Sequence, residues 1–250
     1  MSNSSQKLFG VIVCDSQAKW GGAEGIAKRV EKQLGSEGRW KTFIAEEDQF
    51  PTEEELQTFQ GFYITGSKYS VNDDTQKWIK QLEVFIQRAH ELKKPKVFGT
   101  CFGHQAISKA LGGKVGVNPS KRVVCHNEKI ELCEDETDSK FLQDLREISK
   151  KKPFRILESH SQCVLELPAD AKSVASSASC KNEIILYSDN IIGAQPHADF
   201  DVHDLSDIIL PSFLQRGIIT QQEFDYACES LKQPNACADM AAAIREFLNS

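Results

Sequence analysis

Hydrophobic positions in the first half of the chain alternate between two rhythms. Leu8 to Cys14 and Gly61 to Thr65 are almost unbroken apolar runs, as expected of parallel strands buried on both faces, and Lys41 to Ala45 reads as a further strand between them. Between them, Ala23 to Leu34 and Pro51 to Phe59 carry helical spacing, with Thr52 placed to cap the second. Asp73 and Asp74 are expected to cap a longer helix whose Trp78, Leu82, Phe85, Ile86, Ala89 and Leu92 share a face, and Pro95 ends it. A fourth strand, Lys96 to Gly99, leads into a helix from His104 to Leu111 that stops at Gly112-Gly113. This alternation implies a parallel sheet with helices on both faces.

After residue 113 the rhythm shortens. Lys121 to Cys133, Arg155 to Leu167, Ser173 to Ser177, Glu183 to Tyr187 and Asn190 to Gln195 read as short strands, separated by one helix, Ser139 to Ile148. The remainder reads as helical: 202–216, bent or restarted at Pro211, then 221–231 and 236–248. The expectation is one α/β domain over residues 1–250, a three-layer sandwich with a mostly parallel central sheet. Residues from about 7 to 200 would form its core, and those from about 201 to 250 a helical C-terminal extension.

Composition narrows the function classes. The chain of 250 residues has a net charge of −6 and no long basic block, which argues against nucleic-acid binding. No apolar run reaches membrane-spanning length, and the polar start from Met1 to Gln6 has no secretory core. The cysteines at 14, 101, 125, 133, 163, 180, 228 and 237 are scattered without a paired framework, so they read as reduced thiols of a cytoplasmic protein.

One of them stands apart. In Gly99-Thr100-Cys101-Phe102-Gly103, a strand ends on a glycine, a cysteine follows at the tip of a sharp turn, and a second glycine opens a helix. Small flanking residues let strand and helix crowd together and push the central side chain outward. Unpaired N–H groups and the positive end of the helix dipole favour thiolate at such a place, and the same N–H groups can hold an oxyanion. Late in the chain, His197 and Asp199 follow the run Asn190 to Ala194. In an extended segment residues i and i+2 point the same way, so the carboxylate can orient the imidazole.

Gly99 to Gln105, together with Gln195-Pro196-His197, resembles the class I, triad-type glutamine amidotransferases, and most closely their stand-alone γ-glutamyl peptidase-like branch. Gly66 to Val71 with Asp73-Asp74, Ser159-His160, and Val164 to Pro168 extend the likeness over most of the chain. The resemblance implies a flavodoxin-like sandwich with the site at the carboxyl ends of its parallel strands. It implies Cys101 as nucleophile, His197 as general acid and base, and Asp199 as its orienting carboxylate. The oxyanion hole would take the N–H of Phe102 and one from Gly66-Ser67, while Gln105 would help hold the glutamyl moiety. His160 belongs to a segment near the cleft, and Lys121-Arg122 are candidates for binding a substrate carboxylate.

The expected activity is hydrolysis of a γ-glutamyl amide, in a γ-glutamyl peptide, a conjugate or glutamine, through a γ-glutamyl thioester, with no cofactor and no metal. Two departures from the family pattern stand out: His197-Ala198-Asp199 replaces His-Pro-Glu, and Gln162 stands where relatives often carry an acid. Three alternatives stay open. The chain could be a glutaminase subunit feeding ammonia to a separate synthase, a catalytically weakened binding member, or a zinc protein using Cys101-x-x-His104 and His160-x-x-Cys163. A synthase partner and a homo-oligomer are both open.

Overall fold

The apolar run at the start of the chain divides its side chains between two cores. Phe9, Val11 and Val13 face one hydrophobic cluster, while Ile12 and Cys14 face the other. This two-sided burial sets up the three layers seen in a computed structural model, which describes residues 6–35, 38–134 and 139–250. The polar start, 1–5, lies outside the described residues.

The first half follows the expected alternation: β1 (Leu8–Val13), α1 (Gly22–Leu34), β2 (Arg39–Ile44), α2 (Glu53–Thr58), β3 (Gly61–Ile64), α3 (Lys77–Leu92), β4 (Lys96–Thr100) and α4 (Phe102–Ala110). The second half adds β5 (Lys114–Val117), β6 (Asn127–Lys129), β7 (Glu131–Leu132), α5 (Lys140–Lys151), β8 (Arg155–Leu157), β9 (Gln162–Glu166), β10 (Lys172–Ser176), β11 (Ile184–Ser188) and β12 (Ile191–Ala194). It closes with α6 (Leu210–Gln215), α7 (Gln221–Leu231) and α8 (Cys237–Asn249).

The main sheet runs β2-β1-β3-β4-β12-β11-β10-β7. It is parallel from β2 to β12 and antiparallel beyond, so it is mostly parallel, as its sequence pattern implies. Helices α1, α5 and α8 contribute to the cluster on one face, and α2, α3 and α4 to the cluster on the other. The C-terminal helix is a working part of this sandwich: Met240, Ile244 and Leu248 are buried in the core, and Leu248 lies against Gly61 of β3. Among the described residues no helix is long and apolar enough to cross a membrane.

Several local expectations change. Thr52 does cap α2, in a reciprocal capping box with Glu55. Asp73 does not cap α3; it accepts from the N–H of Thr75 at 3.0 Å and closes a turn, and the helix begins after Gln76. The elbow helix starts at Phe102, two residues earlier than its apolar spacing suggests. The runs Lys121–Cys133 and Arg155–Leu167 each break into two short strands, because their pairing partners switch midway. In the 202–216 helix the ladder widens into a π-type turn, Asp204–Ile209, just before Pro211 enters the first turn of α6. Proline lacks the N–H that would continue the ladder, which accounts for the break.

The turn between β4 and α4 decides what the fold presents to solvent. A β-carbon on Gly103 would fall 2.4 Å from the carbonyl oxygen of Ile64, and one on Gly99 would fall 2.6 Å from the carbonyl carbon of Gly103. Helix α4 therefore crosses β3 and β4 at a distance that only glycine permits. Gly103→Ala is expected to lower stability by about 1–3 kcal/mol through this overlap. Urea unfolding checks it, and a midpoint equal to wild type would contradict the close crossing.

Candidate active site

Four strand ends meet at the carboxyl edge of the parallel sheet. Asp15 follows β1, Gly66 follows β3, Cys101 follows β4 and His197 follows β12. All four line a cavity of about 420 Å³.

Cys101 occupies the elbow with φ 50° and ψ −105°, a conformation rare for any residue with a side chain. Holding it there costs about 1–3 kcal/mol, which the packing of α4 on the sheet must offset. Its backbone is pinned on both sides: its N–H donates to the carbonyl of Ala194 at 2.8 Å, and its own carbonyl accepts from Gln105 at 3.0 Å. That second bond is the first of the helical ladder, so the N–H of Phe102 has no acceptor within α4. The sulfur is 3.7 Å from the carbonyl oxygen of Ser159.

His197 is held by three different contacts. Its N–H donates to the carbonyl of Leu157 at 2.8 Å, its Nδ1 meets Asp199 Oδ1 at 2.9 Å, and its ring stacks on Phe200 at 3.8 Å with the planes 5° apart. A β-carbon on Gly66 would lie 2.9 Å from His197 Cε1 and 3.7 Å from both His197 Nε2 and Cys101 Cβ. The absent side chain is thus what lets imidazole and cysteine share one space. Burial alone would lower the imidazole pKa, but the charges of Asp199 and Cys101 and the bonds to both raise it to about 10. The surroundings thus favour the charged form of the His197 ring.

The loop after β3 is fixed by a residue that no sequence motif singled out. Asp15 accepts from the N–H of Lys68 at 3.0 Å and from the N–H of Gln17 at 2.9 Å, tying two cavity loops together. Its position just past a buried apolar run was the available signal. Gly66, Ser67 and Phe102 all line the cavity. Gln105 also reaches it, but its Nε2 donates to the carbonyl of Gln162 at 2.8 Å and to Gln195 Oε1 at 3.0 Å, so this amide braces the cavity wall. Gln162 in turn accepts from Ser70 Oγ at 2.8 Å.

His160 is a wall residue whose Nδ1 lies 3.0 Å from the carbonyl of Gln162; burial pushes it down to about 4, so it is neutral. Lys121 and Arg122 are not brought into the cavity. Both are exposed, Arg122 pairs with Glu223 at 3.7 Å, and the neighbouring Val123 lines the cavity instead. The cations that do face it are Lys19, Arg29, Lys68 and Arg216, from segments distant in sequence. The zinc-like spacing does not assemble: among the described residues Cys101, His104, His160 and Cys163 do not converge as a ligand set. His104 is buried against Tyr187, whose hydroxyl donates to the His104 carbonyl at 3.1 Å.

Behind Ser159 lies a cluster that no sequence motif announced. Carboxyl oxygens of Glu128, Glu158 and Glu183 come within 4.8 Å of one another, and all three residues are buried. Ser179 Oγ donates to Glu128 at 2.5 Å and Ser177 Oγ to Glu183 at 2.5 Å, whereas both oxygens of Glu158 lack a donor. Burial, then Glu183 and Glu128, hold Glu158 well above the usual carboxyl range. Burial also pushes Glu183 up to about 8.

Fold and site together define a three-layer α/β protein with a cysteine elbow facing a buried imidazole–carboxylate pair. The profile of the family described as glutamine amidotransferase class-I matches residues 25–214, and the chain belongs to that family. It is 34% identical over 177 residues to gamma-glutamyl peptidase 4 of Arabidopsis thaliana, covering 70% of this chain and 68% of that one. It is 31% identical over 207 residues to gamma-glutamyl peptidase 3 of the same plant, covering 82% and 81%. A glutamine amidotransferase structure from Thermotoga maritima superposes with a TM-score of 0.72 at 15% identity, covering 98% of this chain and all of that one, a likeness of fold.

The acid cluster sets a pH dependence with a definite sign. Glu183 keeps its proton up to about pH 8 when folded, against the 4.5 of a free carboxyl. The native state then binds more protons than the unfolded chain across that window, so its stability is full below it and falls as pH rises through it. Urea midpoints at pH 5 and pH 8 should therefore drop more in wild type than in Glu183→Gln. Equal drops would show that the carboxyl does not carry this proton.

Proposed function

We propose that Cys101, His197 and Asp199 act as the triad of a hydrolase that cleaves a γ-glutamyl amide bond. The observation that carries this reading is the convergence of a strained elbow cysteine and a carboxylate-oriented imidazole on the two sides of Gly66. The thiolate of Cys101 attacks the γ-carbonyl carbon, and the carbonyl electrons move onto oxygen. The N–H of Phe102 and one from Gly66-Ser67 meet that oxyanion, a contribution of about 3–4 kcal/mol per donor in related chemistry. The tetrahedral intermediate collapses as the His197 imidazolium gives its proton to the departing amine, leaving a γ-glutamyl thioester on Cys101. Water, deprotonated by the same imidazole, attacks the thioester, and glutamate leaves as sulfur and imidazolium are restored.

The relatives named gamma-glutamyl peptidase support a peptide or conjugate as substrate. A second reading, glutamine hydrolysis for a separate synthase, draws on a 33% identical relative from Saccharolobus solfataricus, named as one subunit of a glutamine-hydrolyzing GMP synthase. The cavity favours the first, because beyond Cys101 and His197 it continues past Trp20, Phe200 and Phe213, a wall larger than departing ammonia needs.

The purified chain alone should release glutamate from γ-glutamyl dipeptides faster than from glutamine. Added hydroxylamine should divert the product to γ-glutamyl hydroxamate. Cys101→Ser should lower kcat by about 10⁴-fold or more, and Asp199→Ala by about 10²- to 10⁴-fold with little change in KM. Equal turnover by Cys101→Ser and wild type would remove the mechanism, and activity confined to glutamine in the presence of a partner would favour the synthase reading.

A further inference from the structure

The reaction fixes the direction in which the departing amine must lie. In the triad reading, on which this inference rests, His197 hands its proton to that amine, so the leaving group extends from Cys101 over the His197 side of the cavity. That side is an aromatic ledge: Phe200 stacks on His197 at 3.8 Å, and Trp20 stacks on Phe200 at 5.6 Å. The ledge ends in positive charge. Lys19 Nζ stands 5.0 Å from the Trp20 ring centre, and Arg216 lines the same cavity.

The cations around Trp20 differ in how they are paired. Arg29, also over Trp20, is neutralised by an ion pair with Asp204. Lys19 and Arg216 make no ion pair among the described residues, although they lie close enough for their charges to interact. Asp15, the carboxylate near Lys19, is already engaged by the N–H groups of Lys68 and Gln17. Partial desolvation at the cavity rim, together with the charge of Arg216 and against that of Asp15, holds Lys19 below the usual lysine range. Two cations lining one concave site, without an ion pair among the described residues, are suited to an anionic group of the substrate.

We propose that Lys19 and Arg216 form a carboxylate subsite that selects γ-glutamyl peptides whose leaving group is a peptide with a free C-terminal carboxylate. An extended residue spans about 3.3–3.6 Å. The ring-to-ring steps of 3.8 Å and 5.6 Å set the length of the ledge, which a leaving group of about two to three extended residues spans toward the cations at its end. The assignment replaces Lys121 and Arg122, which the fold keeps outside the cavity.

The test compares γ-Glu-Leu-Gly with its C-terminal amide, which differ only in the terminal charge. Wild type is expected to favour the acid by about 10-fold or more in kcat/KM. The exposed substitutions Lys19→Ala and Arg216→Ala, combined, should lower kcat/KM for the acid by about 10- to 100-fold, mainly through KM, and that for the amide by less than about 3-fold. Lys19→Glu should turn the preference toward the amide. Equal turnover of acid and amide by wild type, or equal losses on both substrates in the variants, overturns the carboxylate subsite and leaves γ-glutamyl hydrolysis standing. Failure of wild type to cleave either peptide overturns both.

Discussion

The meeting of Cys101 with His197 across Gly66 is the constraint around which the molecule is arranged. Neither residue is near the other in sequence, and each is delivered by its own strand end, β4 and β12, which are paired in register from Ile191–Val97 to Ala194–Thr100. That pairing places the two loops side by side, and the N–H of Cys101 extends it by one more bond to Ala194. A slip of one residue would turn every side chain of β12 to the opposite face. The apolar residues buried on both sides of these strands therefore secure the polar contact at their ends. The strain at Cys101 and the close approaches at Gly99 and Gly103 are local costs of bringing sulfur to that point, offset by the buried faces of α3 and α4.

Acidic and basic side chains gather in two different places around this contact. On the inner side, Glu128, Glu158 and Glu183 share a buried space beneath Ser159. Three ionised carboxylates there would oppose a thiolate at Cys101, and the field of Cys101 is itself among the influences that keep Glu158 protonated. Proton retention by Glu158 and Glu183 limits the negative charge on that side of Cys101. On the outer side, Lys19, Arg216 and Lys68 give the cavity a positive rim in an acidic protein. Such a rim draws anions toward the mouth and not toward the surface at large.

Much of this architecture is legible in the amino-acid order alone. The inner parallel strands β1, β3, β4 and β12 can be read because they are buried on both faces and so carry no polar alternation, and Thr52 announces its helix through a local bond to Glu55. The elbow and the late histidine can be read because their chemistry depends on neighbours one or two positions away. Legibility fails where partners are remote. Strand β5 pairs with β9 across about 50 residues of chain, and its four residues carry no period long enough to identify. Lys121-Arg122 look like a binding pair because they are adjacent, while Lys19 and Arg216 become neighbours only when α6 folds back over the β1 loop. The acid cluster is hidden for the same reason: each glutamate stands in or beside a different strand.

The substitution of Asp199 for the family's usual glutamate raises a geometric question that the fold answers locally. Aspartate is one methylene shorter, so a carboxylate at this position reaches the ring only if backbone and imidazole approach each other. Leu157 draws the His197 backbone in through its bridge, Phe200 packs flat against the ring, and Ala198 is buried in the core without the conformational demand of proline. With these contacts the Nδ1–Oδ1 separation is 2.9 Å, a full hydrogen bond, in a pair that is almost wholly buried. The departure in side-chain length therefore leaves the orienting contact in place, with Phe200 contributing to both this contact and the ledge beyond it.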